Sequence, residues 1–122
     1  MINLKNKKTV VTGATGGIGN AIVDKFYSQG AKILGTGTNE EKLSKLKNDF
    51  DGVILKKFDI SKHEQIEKFV DAVCDELEGC PDILINNAGI TKDNITLRMS
   101  QTEWQQVIDI NLTSTFLLCK FF

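Results

Sequence analysis

Apolar and polar positions along this chain follow two alternating rhythms. Short β-branched or aliphatic runs occur at KKTVVT (7–12), AKILGT (31–36), VILKKFDI (53–60) and ILINN (83–87). Between them, apolar residues recur every three or four positions, the period of a helix with one buried face. Ile18, Ile22 and Phe26 sit one turn apart in a helix that runs to about Gln29, with Gly30 as its stop. A lysine-rich helix is expected over about 40–48. Ser61 and Glu64 have the spacing of a capping box, in which the two side chains satisfy free backbone N–H groups at a helix start. The helix behind them carries Ile66, Phe69, Val70, Val73 and Leu77 on one face, and Gly79 with Pro81 ends it. A second box, Ser100 to Glu103, opens a final helix that is expected to run unbroken to Phe122. Short strands alternating with helices of about ten residues imply an α/β architecture, a parallel sheet covered on both faces. No repeat, low-complexity tract or linker interrupts residues 1–122, which read as one domain.

Composition narrows the function classes. The chain has 122 residues, 41% hydrophobic and 25% charged, the balance of a globular domain of modest size. A net charge of −1, with Arg98 the only arginine, gives no electrostatic reason to expect nucleic acid or an anionic membrane. No apolar run approaches the roughly 20 residues of a membrane span, and residues 1–8 lack the apolar stretch of a signal peptide. Cys74, Cys80 and Cys119 are odd in number and form no C-x-x-C pair, which reads as reduced thiols in a cytoplasmic protein. His63 is the only histidine, which argues against a histidine-based metal site or catalytic triad.

The candidate chemistry lies in TGATGGIG (12–19), between the first strand and first helix. Gly13 makes the tight turn out of the strand, Gly17 admits phosphates close to the backbone, and Gly19 lets helix and strand pack closely. The helix start then offers free N–H groups and a positive dipole end to a pyrophosphate. A purely structural turn rarely needs four glycines in seven residues.

The spacing is T-G-x-x-x-G-x-G, and with NNAG (86–89) it resembles the short-chain dehydrogenase/reductase family. NAGITKDNITLRM, Trp104 and Ile108-Asp109-Ile110-Asn111-Leu112 resemble more specifically the 3-oxoacyl-[acyl-carrier-protein] reductases of bacterial fatty acid synthesis. The resemblance implies a Rossmann-like, doubly wound parallel sheet, here ending after its fourth strand and the helix behind it. In such sheets the chain moves outward from the first strand to the third, then crosses back to place the fourth on the other side. Ligands bind where that order reverses. The glycine turn, Gly13, Ala14, Thr15, Gly16, Gly17, Ile18 and Gly19, then faces Asn87, Ala88 and Gly89 across one crevice, with Asn86 bracing the loop. A turn built from Asn and Gly, both tolerant of left-handed backbone, accounts for Gly89 but not for two adjacent amides.

An acidic residue at the end of the second strand selects NAD by binding the ribose 2′-OH. Here that strand ends Gly35-Thr36-Gly37-Thr38-Asn39, with no acid. Thr36, Thr38 and Asn39 can donate to a 2′-phosphate, which favours NADP over NAD. Against it, the basic residue of many NADP-preferring relatives is replaced by Gly16, and Glu40 and Glu41 come soon after. By resemblance, Asp59 and Ile60 hold the adenine. In the last helix Trp104, Ile108, Asn111, Thr115 and Leu118 fall on one stripe, so Asn111 is expected on the buried face, where the family's asparagine orders a water in a proton relay.

The family's acid is the tyrosine of a Y-x-x-x-K pair, with a serine polarising the carbonyl. The one tyrosine, Tyr27, is followed four residues on by Ala31, and no serine stands at a strand end beyond the fourth. The expectation is therefore the N-terminal, cofactor-binding part of a reductase that turns a 3-ketone into a 3-hydroxyl on an acyl-carrier-protein-bound chain, tetrameric when complete. By itself it is expected to be marginally stable and inactive. Two alternatives stay open: a reductase of a sugar or other alcohol, and a catalytically dead nucleotide-binding module.

Overall fold

A computed structural model describes residues 2–122. The described residues form a four-stranded parallel sheet in the order β3-β2-β1-β4. The strands are β1 (Lys8–Thr12), β2 (Lys32–Gly37), β3 (Ile54–Lys57) and β4 (Ile83–Ile85). β1 is central: Thr9, Val10 and Val11 face Ile33, Leu34 and Gly35 on one side and Ile83, Leu84 and Ile85 on the other. This is the outward-then-back order expected from the sequence, and it puts the carboxyl ends of β1 and β4 side by side.

Side chains alternate across the sheet because the strand period is two. Val10 and Leu34 point to one face, where Ile66, Phe69, Val70 and Val73 of α3 (Ile66–Glu76) and Leu118 of α5 (Ser114–Phe121) cover them. Val11 and Ile33 point to the other, under Val23 of α1 (Gly17–Ser28) and Leu46 of α2 (Glu40–Asp49). The expected stripe of α1 holds in part: Ile22 and Phe26 pack against this cluster, but Ile18 is 72% exposed, and Gly19 and Val23 are the buried positions. Tyr27 packs edge-on against Phe50, ring centroids 5.3 Å apart, on the outer side of this layer.

Several element ends depart from the pattern for local chemical reasons. β3 stops at Lys57 because Asp59 turns the chain, its Oδ1 accepting from both the N–H and the hydroxyl of Ser61 at 2.9 and 2.7 Å. With Ser61 committed there, the capping box with Glu64 does not form. A 3₁₀ turn at His63–Gln65 leads into α3 without a side-chain cap among the described residues. At the other end of α3, Gly79 N–H donates to Cys74 O and Glu78 N–H to Asp75 O, a Schellman arrangement. Its left-handed position is taken by Glu78, at φ +59°, and not by Gly79. The capping box at Ser100 and Glu103 does form, opening α4 (Gln101–Ile108).

The last helix is interrupted. A π-helical turn over Asp109–Thr113 separates α4 from α5. The extra residue in that turn shifts the register of α5, so Ser114 is buried along with Leu118, the one residue of the expected stripe that is fully covered. Trp104 and Asn111 are exposed, which overturns the expected buried stripe through them. No helix of the described residues is long and apolar enough to cross a membrane.

Candidate functional site

The carboxyl ends of β1 and β4 are tied together by one hydroxyl. Thr12 is fully buried at the end of β1, and its Oγ1 accepts from the N–H groups of Asn87 and Ala88 at 3.1 and 3.0 Å. The Asn87 side-chain amide donates back to Thr12 O and Gly13 O at 3.2 and 3.1 Å. The turn after β1 and the amides after β4 are therefore one construction. Gly13 turns there at φ +62°, and a Cβ on it would lie 2.9 Å from Ala88 Cα. A Cβ on Gly19 would overlap Gly13 O. Both glycines are needed to let the two loops touch.

Above this clasp lies a cleft of about 280 Å³. Gly13 and Thr15 form its floor on one side, and Thr36, Gly37 and Thr38 at the end of β2 form another wall. Phe58, Asp59 and Ile60 close one end, and Ala88, Gly89, Ile90 and Ile110 close the other. Phe58 stacks flat on Phe69, 4.0 Å between centroids, which holds that wall to the core. Thr36 is 1% exposed and its Oγ1 has no hydrogen-bond partner among the described residues. Asp59 is held below the usual carboxylate range, first by the Ser61 hydroxyl, then by the Ser61 N–H and the Lys62 charge, against partial desolvation. It is an anionic acceptor at neutral pH.

A second, polar cavity of about 410 Å³ opens on the other side of the glycine turn, lined by Thr15, Gly16, Gly17 and Asn20 and by Lys42, Lys45 and Asp49 of α2. Thr15 borders both spaces. Among the described residues no side chain caps the start of α1, so its first N–H groups face this region unpaired by a cap. A Cβ on Gly17 would meet nothing within 4 Å. The fold does not need glycine there, and the open backbone has the form of a cradle for a ligand.

Of the residues singled out from sequence, Gly13, Thr15, Thr36, Thr38, Asp59, Ile60, Ala88 and Gly89 line the cleft, and Gly16 and Gly17 line the adjoining cavity. Ala14 is buried beneath the sheet end, its N–H donating to Thr36 O at 3.0 Å. Ile18 projects outward and Gly19 packs on the turn. Asn87 braces the turn with its side chain, and Asn86 donates to Cys119 Sγ at 3.3 Å. Asn111 makes a two-way bond with the backbone of Ile90, donating to its O and accepting from its N, both at 2.8 Å. Asn111 O in turn accepts from the Thr115 hydroxyl at 3.0 Å. Sequence reasoning missed Thr12, Phe58, Ile90 and Ile110. Thr12 alone left a trace, as a threonine ending a strand just before a glycine turn. His63 bonds Asp109 O and Ser114 Oγ, both at 3.0 Å, tying α3's entry to the π turn.

Comparisons with known proteins agree with this architecture. The sequence model of the family described as short chain dehydrogenase matches residues 7–122. A 3-oxoacyl-[acyl-carrier-protein] reductase of Vibrio cholerae serotype O1 is 42% identical over 123 residues, covering 98% of this chain and 49% of its own. Nodulation protein G of a Rhizobium species (strain N33) is 41% identical, with 98% and 49% covered. The 3-oxoacyl-[acyl-carrier-protein] reductase of Escherichia coli K12 is 39% identical, again with 98% and 49% covered. The chain spans about half the length of the curated relatives it matches.

Proposed function

This chain belongs to the short-chain dehydrogenase family, and from that premise and its cleft we propose that it is the cofactor-binding part of an NADPH-dependent 3-oxoacyl-[acyl-carrier-protein] reductase. The observation that carries the reading is the Thr12 clasp, which joins the glycine turn and the Asn86–Gly89 loop into one crevice at the point where the strand order reverses. The dinucleotide fits the residues present. Its pyrophosphate would lie over Gly16 and Gly17 at the start of α1, where the open backbone accepts it. Asp59 and Ile60 would hold the adenine, the ionised carboxylate accepting from its amino group. Ala88 and Gly89 would border the nicotinamide side.

NADP is favoured over NAD because the end of β2 offers the exposed Thr38 hydroxyl and Asn39 amide, and no carboxylate, to the ribose, while the Thr36 hydroxyl, expected to donate there as well, is buried. The first acids beyond it lie on α2: Glu40, in an exposed pair with Lys57 at 3.4 Å, and Glu41. When bound, NADPH supplies the hydride that reduces a 3-ketone to a 3-hydroxyl. The task of this chain's residues is to seat and orient it. Asn111, fixed to Ile90 in the π turn, is proposed to position the loop beside the nicotinamide and, through its neighbourhood, a water for proton delivery. The complete enzyme is proposed to be a cytoplasmic homo-tetramer acting on acyl-carrier-protein-bound chains. The identity of 39–42% with two reductases of that name supports this over a reductase of sugars or other alcohols.

Two glycine substitutions test the cofactor reading against fluorescence titration with NADPH. Gly17→Ala meets no protein atom within 4 Å, so the chain should fold normally and lose NADPH binding. Gly19→Ala should damage folding itself. Normal NADPH affinity in a folded Gly17→Ala chain would refute the placement of the pyrophosphate.

A further inference from the structure

We propose that His63 and Ser114 are positioning residues of the cleft, acting through the Asp109 carbonyl to hold the π turn and, with it, the wall at the nicotinamide end. The inference rests on the dinucleotide reading and adds to it what fixes that end. Three observations carry it.

The first is a convergence on one oxygen. In an α-helix Asp109 O would accept from the N–H four residues on, at Thr113. Here it accepts from Ser114 N–H, one residue later, which widens the turn. The Ser114 hydroxyl lies 2.9 Å from the same oxygen, and His63 Nε2 lies 3.0 Å from it. A π turn inside a helix is rare, and these two side chains bring donors to the carbonyl that closes it.

The second is the proton count. Ser114 is fully buried, and its hydroxyl has one proton for two carbonyls, Ile60 O at 2.6 Å and Asp109 O at 2.9 Å. The shorter contact takes it. His63 Nε2 then faces a carbonyl and a hydroxyl oxygen whose proton is turned away, each at 3.0 Å, so it must carry the ring proton. His63 is therefore the side-chain donor on which Asp109 O depends, and Ser114 ties the end of the turn to Ile60.

The third is place. Ile60 borders the end of the cleft assigned to the adenine, and Ile110, next to Asp109, borders the other. Asn111, one residue further, holds Ile90 N and O at 2.8 Å. Ile90 and Ile110 also line a further space of about 330 Å³, together with His63 and Asp109. A wall that stands between two open spaces is not set by close packing alone. The hydrogen bonds through Asp109 and Asn111 set it.

The test removes the His63 donor and compares NADPH with its adenine half, adenosine 2′,5′-bisphosphate, by titration calorimetry. His63→Ala leaves the Ser114 bond to Ile60 in place, so the adenine half should bind within about twofold of its affinity for the unsubstituted chain. NADPH should bind about three- to tenfold more weakly, because losing one neutral hydrogen bond shifts an equilibrium by that order and apparent affinity falls with the binding-competent fraction. Hydrogen exchange at Ser114 N–H, the bond that closes the π turn, should accelerate. His63→Gln keeps an N–H donor and should restore NADPH binding. His63→Phe keeps a ring without the donor and should give the same selective loss, so the test stands even if the alanine variant unfolds. A residue that only supports the fold would lower the thermal midpoint and leave the ratio of the two affinities unchanged. Equal weakening of both ligands, or no change in their ratio, overturns this inference and leaves the dinucleotide reading standing. If the folded, unsubstituted chain binds neither ligand, that reading falls and this one with it.

Discussion

The same substitution, threonine to valine, should have opposite effects at two positions three residues apart in β1. Thr9 and Thr12 are both fully buried. Thr9 Oγ1 has no hydrogen-bond partner among the described residues, and its register opposite Ile33 sets it on the apolar face covered by α1. An unpaired buried hydroxyl costs about 1–3 kcal/mol relative to an apolar group of the same shape, so Thr9→Val should stabilise by about 1 kcal/mol. Thr12 Oγ1 accepts from two N–H groups. Asn87 N–H retains a second acceptor, Ile85 O at 3.1 Å, but Ala88 N–H has no backbone acceptor in its place among the described residues. Thr12→Val therefore orphans one donor and weakens another. Because Ala88 is only half-buried, water recovers part of the loss, and the cost should be about 1.5–2 kcal/mol. Urea unfolding followed by circular dichroism reads both. With a slope of about 1.5 kcal/mol per molar for a domain of this size, the midpoint should rise by about 0.7 M for Thr9→Val and fall by about 1 M for Thr12→Val. Thr12→Ser, which keeps the hydroxyl, should recover most of the loss. A Thr12→Val midpoint at or above that of the unsubstituted chain would refute the clasp. Equal falls for both variants would refute the distinction between satisfied and orphaned hydroxyls on which the reasoning rests.

Other parts of the fold give three further expected outcomes. Glu78→Gly should raise stability by about 0.5–1 kcal/mol in thermal or urea unfolding. It relieves left-handed backbone at φ +59°, less the added freedom of the unfolded chain, and forfeits only an exposed pair to Lys32 at 3.6 Å. The Asp59 carboxyl, followed by NMR titration, should lie below the usual aspartate value and return toward it in Ser61→Ala, since the Ser61 hydroxyl is the largest cause. A depressed folded pKa means that its contribution to stability is present above the unfolded value and is lost as pH falls through the folded one. Asn111→Ala should cost less than about 1 kcal/mol, as the site is exposed, yet hydrogen exchange at Ile90 N–H should accelerate because the acceptor it has there is gone.

Both faces of the core and most of the cleft were legible because each is written in a local period or in a motif with a backbone reason, and the strand order followed from the fold that the resemblance implies. The misses come from contacts and backbone irregularities that no local period encodes. Ser61 has the spacing to cap a helix with Glu64, but Asp59 lies two residues away and takes its hydroxyl first. Asn111 falls on the apolar stripe of an ideal helix, but a π turn adds a residue and rotates it outward. Its amide and the Ile90 backbone complete each other, a pairing between segments 21 residues apart that no helical period encodes. Glu78 stands at a position that favours glycine, with Gly79 one residue too late. There Lys8 Nζ holds Glu78 O at 2.7 Å, a contact from the far end of the chain.

The glycine turn shows most clearly why spacing alone cannot assign roles. Gly13, Gly17 and Gly19 look equivalent in TGATGGIG, yet they answer to different demands. Gly13 and Gly19 exclude a Cβ because protein atoms already occupy its place: Ala88 Cα against one, Gly13 O against the other. They would be required whether or not anything binds. Gly17 excludes nothing in the folded chain, since a Cβ there would meet no atom within 4 Å. A glycine that the fold does not require, in a turn whose other glycines serve it, is what the proposed pyrophosphate placement over Gly17 calls for. The open backbone at Gly17, the uncapped start of α1 and two α2 lysines border one cavity, the setting that the proposed pyrophosphate site requires.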